Sequence, residues 1–392
     1  MSKSLLAAPI VTGLVTAFVG FTGSFAVVLK GLNAVGASDA QSASALMALS
    51  IAMGLAGVGL SLWFKAPISC AWSTPGGALL AATGAVSGGF SAAVGAFLIV
   101  AVLIIAAGLI KPFGRAVAAI PSSLANAMLA GILFRLCLSP IQALIDVPGP
   151  ATLVILSWLI VSRWKRIWAT PVAAIVAGLI IVYNGGGSGL GLADWMPMPI
   201  LVKPTFSVEA VVSLALPLFI VTMVSQNLAG LAVMAAFGYR PAPSPLIATT
   251  GAFSLLAAPF GGHAVNLSAI TQAMCASPEA SPDPALRWWA AASSGVGYIV
   301  LGLSAGLVTH FAAGSPILVE TVAGLALLSA LGSSLHNALA DVGDREAALV
   351  TFLVAASGFG FWGIGGAFWG LLAGGAVLTL TRYGAFSPPT TK

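Results

Sequence analysis

Charge is what this sequence has least of. Fifteen lysines and arginines and ten acidic residues leave only 6% of the 392 positions charged, where soluble domains run near a quarter. No water-facing surface can be assembled from that set, which excludes a soluble globular protein. Cysteine is nearly missing too. Cys70, Cys137 and Cys275 share no ligand spacing, which argues against a metal cluster or a disulfide framework. Paired carboxylates and a Ser/His/Asp set are not recognisable, and Gly185-Gly186-Gly187 lacks the lysine and Ser or Thr of a phosphate loop. The expectation is a protein that is not an enzyme, with no cofactor and no metal. The net charge of +5 has no basic cluster behind it beyond Arg163-Trp164-Lys165-Arg166, so no nucleic-acid partner is expected.

What is present is apolar length. Hydrophobic residues make up 59% of the chain and the mean hydropathy is +1.06. A span across a hydrocarbon core of about 30 Å needs roughly 20 such residues, and runs of that order follow one another almost end to end. Glycine is abundant, at 46 residues, as expected where helices pack closely in lipid. The predicted spans are 5–29, 42–63, 67–86, 91–110, 117–138, 150–162 and 167–183, then 210–236, 244–257, 259–277, 286–311, 316–336, 346–361 and 363–381. The first, Leu5 to Leu29, is too long for a signal-peptide core and lacks a cleavage site, so it reads as a retained helix.

The chain also repeats itself. Ala66-Pro67 returns as Ala258-Pro259, Ile120-Pro121 as Ser315-Pro316, and Leu153 to Gly178 as Leu349 to Gly374, at offsets of 192, 195 and 196. The fold class predicted is an all-α polytopic membrane protein of 14 segments in two repeats, 1–198 and 199–392. Seven segments per repeat is an odd number, so the second repeat enters the membrane from the opposite side, as in many secondary transporters. With a cytoplasmic N-terminus, Lys30, Arg135 and Lys203 are the only cations outside, against twelve inside. That bias is what the positive-inside rule expects, and it puts both termini in the cytoplasm.

Segments 3 and 10 depart from plain hydrophobic helix. Segment 3 reads Ala66-Pro67-Ile68-Ser69-Cys70-Ala71-Trp72-Ser73-Thr74-Pro75-Gly76-Gly77. Proline favours the first helical position and Ser or Thr the cap before it, so a helix is predicted from Pro75 with Thr74 as cap. The offset of 192 carries Thr74 to Asn266, another capping residue, after Gly261-Gly262-His263-Ala264-Val265. Each segment should thus be half extended and half helical, with the helix starting near the midplane. Extended backbone at that depth is tolerated only inside protein or along a cavity, and two helix N-termini facing one cavity suit an anion. A simple kink at Pro75 or at Gly261-Gly262 is the alternative.

Other residues expected to line the site are Thr22, Gly23 and Ser24 in segment 1, and Ser225, Gln226 and Asn227 in segment 8. Three consecutive polar residues inside a span should face protein or a cavity; plain helix–helix hydrogen bonding would also explain them. Trp72, Phe21 and Phe260 could stack on an aromatic ligand or simply pack. Proton coupling is least marked. Among the ten acidic residues Glu320 alone sits within an apolar helix, and His263 lies beside the expected site. Histidine titrates in a useful range, so His263 and Glu320 are the proton-coupling candidates, against a neutral histidine bonded to backbone.

Ala71-Trp72-Ser73-Thr74-Pro75-Gly76, Leu216-Pro217-Leu218-Phe219, Ser225-Gln226-Asn227, Ala258-Pro259-Phe260-Gly261-Gly262, Ser277-Pro278-Glu279-Ala280 and Ala367-Phe368-Trp369-Gly370 are specific tracts spread over most of the chain. In these stretches it resembles the benzoate:proton symporter (BenE-type) family. The resemblance implies a bacterial inner-membrane secondary active transporter that imports benzoate or a similar aromatic carboxylate with protons, by alternating access. It also implies kinship with the nucleobase:cation symporter fold. That fold has short strands and half-helices in segments 3 and 10, and a core (5–110 plus 207–311) that moves against a gate (117–183 plus 316–382). A homodimer through the gate is part of the same implication. Nucleobase relatives carry acidic residues in segments 8 and 10, and the apolar parts of these segments have none here. A passive anion channel, or a carrier of another small anion or nucleobase on the same fold, remains the alternative.

Overall fold

A computed structural model of the chain describes residues 3–185 and 195–383. Asp194 and Lys392, counted above among loop and terminal charges, lie outside those residues, as do Gly186 and Gly187. Each of the fourteen segments has its element. Segment 1 is a helix, Lys3–Thr22, that breaks at Gly23 and resumes as Phe25–Ala34. Segment 2, Asp39–Phe64, starts at a capping box in which Ser38 and Gln41 bond each other's backbone. Segments 4 to 7 are Gly89–Leu109, Ser122–Cys137, Pro148–Trp164 and Arg166–Tyr183. In the second half, segment 8 runs from Val208 to Ala236 with π-helical turns at Val211–Ala215 and Met223–Leu228, and segment 9 is Pro243–Ala257. Segment 11 is bent by 57° between Leu303 and Ala305. Segments 12 to 14 are Pro316–Ala338, Arg345–Ala356 and Gly366–Tyr383.

Segments 3 and 10 are interrupted. In segment 3 a strand, β1 (Cys70–Trp72), precedes a helix, Thr74–Thr83; in segment 10 a strand, β2 (Val265–Leu267), precedes Ile270–Ala276. The two strands pair antiparallel, with Cys70 opposite Leu267, Ala71 opposite Asn266 and Trp72 opposite Val265. Two segments exchanged by a two-fold axis in the membrane plane must run antiparallel where they meet, and the pair of residues on the axis must be equivalents. An offset of 195 turns Ala71 into Asn266, the residue it faces. The pseudo-two-fold therefore passes through that pair.

This register corrects the expectation of a 192-residue offset. The Ala-Pro dipeptides belong to the approaches, and the second approach holds a 3-10 turn, Ala258–Phe260, with Gly261 at a φ of 90°. That turn takes up three extra residues. Asn266 is consequently a strand residue and not a helix cap. The residue equivalent to Ser73 is Ser268, whose hydroxyl accepts the Thr271 N–H at 3.3 Å.

Segment 2 packs along segment 11, segment 1 along segments 3 and 11, and segment 4 along segment 9. Elsewhere segment 5 packs on segments 12 and 13, segment 13 on 14, and segment 6 on 7. The ribbon sits inside the first group, in a core that includes Met53, Ile68, Trp72 and Tyr298, all fully buried or nearly so. Segments 1 and 3 cross at Gly31 and Gly77, where a Cβ on Gly31 would overlap the Gly77 carbonyl. Their backbones touch, as small residues permit in lipid.

Candidate functional site

A two-stranded ribbon inside a membrane has outward N–H groups with no water to bind, and each unmet donor is expensive there. Side chains from other segments meet them. The Trp72 N–H donates to Met53 Sδ at 3.1 Å, Val265 N–H to Ser254 Oγ at 2.8 Å, and Leu267 N–H to Asn227 Oδ1 at 2.9 Å. At one end Ser69 N–H reaches Gln272 Oε1 at 2.9 Å, and the Gln272 amide donates to the Pro67 carbonyl. At the other, Ser73 N–H donates to the Ala264 carbonyl at 3.0 Å.

The segment 3 helix starts one residue earlier than predicted. Ser73 is the cap: its hydroxyl accepts the Gly76 N–H at 3.1 Å, and Pro75 sits in the first turn, where its missing donor does no harm. Thr74 is helical, half-buried, and its hydroxyl makes no hydrogen bond with the described residues. The antiparallel register also keeps the two helix starts apart. They leave from opposite ends of the ribbon, roughly 13 Å apart for four residues at about 3.3 Å each, so the expected meeting of the two caps does not occur.

Ser73 is the hub of what does come together. It is fully buried, and its hydroxyl accepts from Thr222 Oγ1 at 3.0 Å, tying segment 3 to segment 8. Its carbonyl lies 2.8 Å from His263 Nε2. A carbonyl only accepts, so Nε2 carries the proton and Nδ1 of the neutral ring is left as an acceptor. That Nδ1 is buried and has no partner among the described residues; neither do Asn266 Oδ1 and Ser225 Oγ. Buried polar atoms are nearly always satisfied. His263 Nδ1 lies on the approach to β2, Asn266 Oδ1 on β2 itself and Ser225 Oγ on the π-turn packed against it; the first two are acceptors and the third can also donate.

The remaining expected residues divide. Ser24 accepts the Trp72 indole N–H at 2.8 Å and donates to the Gly20 carbonyl at 2.9 Å. Trp72 is therefore locked and only 2% exposed, with Phe21 5.3 Å away centroid to centroid. Thr22 bonds back to the Phe18 carbonyl at 2.6 Å, and Gly23 forms the break in segment 1. Gln226 is half-buried on the π-turn, Asn227 clamps β2, and Gly261 and Gly262 make the turn that leads into it. The Phe260 carbonyl accepts from Ser44 at 3.5 Å. Glu320 is elsewhere: its carboxylate pairs with Lys30 at 2.8 Å, linking segment 12 to segment 1. Thr222, Ser254, Gln272 and Met53 were not foreseen. Their partners lie 149, 11, 203 and 19 residues away, and only Ser254 is close enough for local reading. An apolar cavity of about 440 Å³ lies between segments 4, 8 and 14, lined by Phe113 and Phe219, which stack 5.8 Å apart, together with Pro217 and Phe368.

The BenE family, described as benzoate membrane transport protein, matches residues 4–380. The chain belongs to that family. Among curated relatives it is 42% identical over 371 residues to the inner membrane protein YdcO of Escherichia coli, covering 93% of this chain and 94% of that one. It is 30% identical to a benzoate membrane transport protein of Acinetobacter baylyi, covering 93% and 92%. Like them, this BenE-family chain is a membrane protein and not an enzyme. Solved structures share its fold. The transmembrane domain of the cyanobacterial bicarbonate transporter BicA aligns with a TM-score of 0.59 at 14% identity, over 97% of this chain and 98% of that one. The murine Slc26a9 anion transporter in its inward-facing state aligns at 0.56 and 13%, over 98% and 69%. The architecture is that of fourteen spans in two inverted repeats.

Proposed function

We propose that this BenE-family protein is an inner-membrane secondary transporter that imports benzoate or a similar aromatic carboxylate together with protons. The observation that carries the reading is the capped start of the segment 3 helix inside the core, with the unused Thr74 hydroxyl and His263 beside it. A carboxylate placed there meets the positive end of a helix and the Thr74 hydroxyl. A proton taken up at His263 Nδ1 turns that acceptor into a charged donor. Each buried charge then supplies the partner the other needs, which links proton and carboxylate in one binding event. The names of the family and of the Acinetobacter relative support benzoate as cargo, and the name of the Escherichia coli relative supports the inner membrane.

Segments 1–4 and 8–11 act as the moving core and segments 5–7 and 12–14 as the gate. The gate turns apolar residues such as Leu153, Ile160 and Leu380 outward, toward lipid or the second copy of a homodimer. The termini lie in the cytoplasm.

The test is uptake of labelled benzoate into proteoliposomes with and without an inward proton gradient. Accumulation above equilibrium that collapses with a protonophore is expected. Downhill flux alone, unaffected by the gradient, would identify a passive anion channel on the same fold.

A further inference from the structure

A second cavity, this one polar, lies away from the ribbon, at the C-terminal end of the segment 3 half-helix. Its volume is about 290 Å³, and Thr83, Arg135, Gly358, Gly363 and Gly365 are among its walls. It opens between segment 3, segment 5 and a small hairpin, β3 (Gly360–Phe361) with β4 (Ile364–Gly365), that joins segments 13 and 14. The charge bias of the loops assigns this face to the outside.

Arg135, in the last turn of the segment 5 helix, is exposed, and its side chain has no ion pair or hydrogen bond among the described residues. Gly358 makes room for it. At a φ of 73° and with no side chain, Gly358 lets the guanidinium lie where a Cβ would come within 2.6 Å of Nη1. Glu209 stands at the other side of the hairpin, where a Cβ on Gly363 would meet its carboxyl carbon at 2.7 Å. It does not neutralise Arg135; its Oε1 accepts the Ser87 N–H at 3.2 Å. Ser213 fixes the hairpin by donating to the Gly363 carbonyl at 3.0 Å.

We propose that this cavity is an outer capture site for the carboxylate, distinct from the ribbon site and filled before it. A free guanidinium offers a planar fork that matches a carboxylate, and the glycine walls expose backbone at close range. The volume is at the small end of ligand pockets, about 300–1,000 Å³, which fits one aromatic acid, with Phe359 and Ile364 beside its ring. The cavity lies where the proposed core and gate must part, so an anion held there waits at the entrance. The assignment to an aromatic cargo rests on the function proposed above.

The experiment is phenylglyoxal labelling of Arg135 in the intact protein, followed by mass spectrometry with exposed Arg163 as the reference. Benzoate is expected to slow labelling of Arg135 and not of Arg163, and uncharged benzamide to slow neither. In uptake from outside, Arg135→Gln should raise the half-saturating benzoate concentration roughly threefold, as for an exposed ion pair, with the maximal rate kept. Glu209→Gln, which keeps the bond to Ser87 and removes the negative charge, should lower it. Labelling of Arg135 unchanged by benzoate overturns the capture site even if uptake is intact. Slowing by phosphatidylglycerol vesicles and not by benzoate makes it a lipid-headgroup site and overturns it equally. Protection in a wild-type protein that takes up no benzoate keeps the site and sinks the transport reading instead.

Discussion

Thr74 and His263 carry different parts of the chemistry, and substitution can separate them. Thr74 offers a hydroxyl that the folded chain does not use, so Thr74→Val should leave the melting temperature nearly unchanged. It should weaken benzoate binding about tenfold, the scale of a hydrogen bond to a charged group; a thermal scan of the purified protein reads the first and calorimetric titration the second. His263→Gln keeps a donor for the Ser73 carbonyl and removes the titratable nitrogen. Counterflow exchange of benzoate should survive in this variant while accumulation driven by a proton gradient is lost. If the variant still accumulates benzoate uphill, the proton travels by another group. The sequence pointed to both positions, because a Ser-Thr-Pro-Gly run and a lone histidine after paired glycines stand out in an apolar chain. It could not tell Ser73 from Thr74 as the cap: both residue types cap well, and proline is tolerated throughout the first turn.

At the scale of elements, the fourteen segments were legible because lipid imposes one length and one polarity on every span. The half-extended character of segments 3 and 10 was legible for a similar reason, since proline and glycine are informative where helix is the default. Their register was not. The Ala-Pro dipeptides align the approaches, and the extra residues in the Ala258–Phe260 turn shift everything after it by three. Nor could local patterning reveal the clamps on the ribbon. Asn227 meets Leu267 across 40 residues and Gln272 meets Ser69 across 203, by tertiary packing alone. The clamps make a stability prediction. Asn227→Leu strands the Leu267 N–H in a dry interior and should cost about 1–3 kcal/mol, seen as a lower melting temperature in detergent. Ser225→Ala removes an orphaned hydroxyl and should cost nothing comparable. Equal melting of the two variants would show that the ribbon does not depend on its side-chain partners.

For the molecule as a whole, the Lys30–Glu320 ion pair joins segment 1 to segment 12. If core and gate move apart, this contact must break or follow the motion. Lys30→Gln and Glu320→Gln should each alter the transport rate severalfold, and the exchanged pair Lys30→Glu with Glu320→Lys should restore much of it. Single variants that transport like the wild type would exclude the pair from the cycle. A different constraint follows from the ribbon. Because β1 and β2 are joined through main-chain atoms, the interrupted spans of the two repeats are sewn together by a seam that does not depend on which side chains flank it. Neither can shift without the other, so whatever rests against the seam travels as freight on one rigid carriage. Side chains around it can then be exchanged during evolution, changing the freight and leaving the carriage intact.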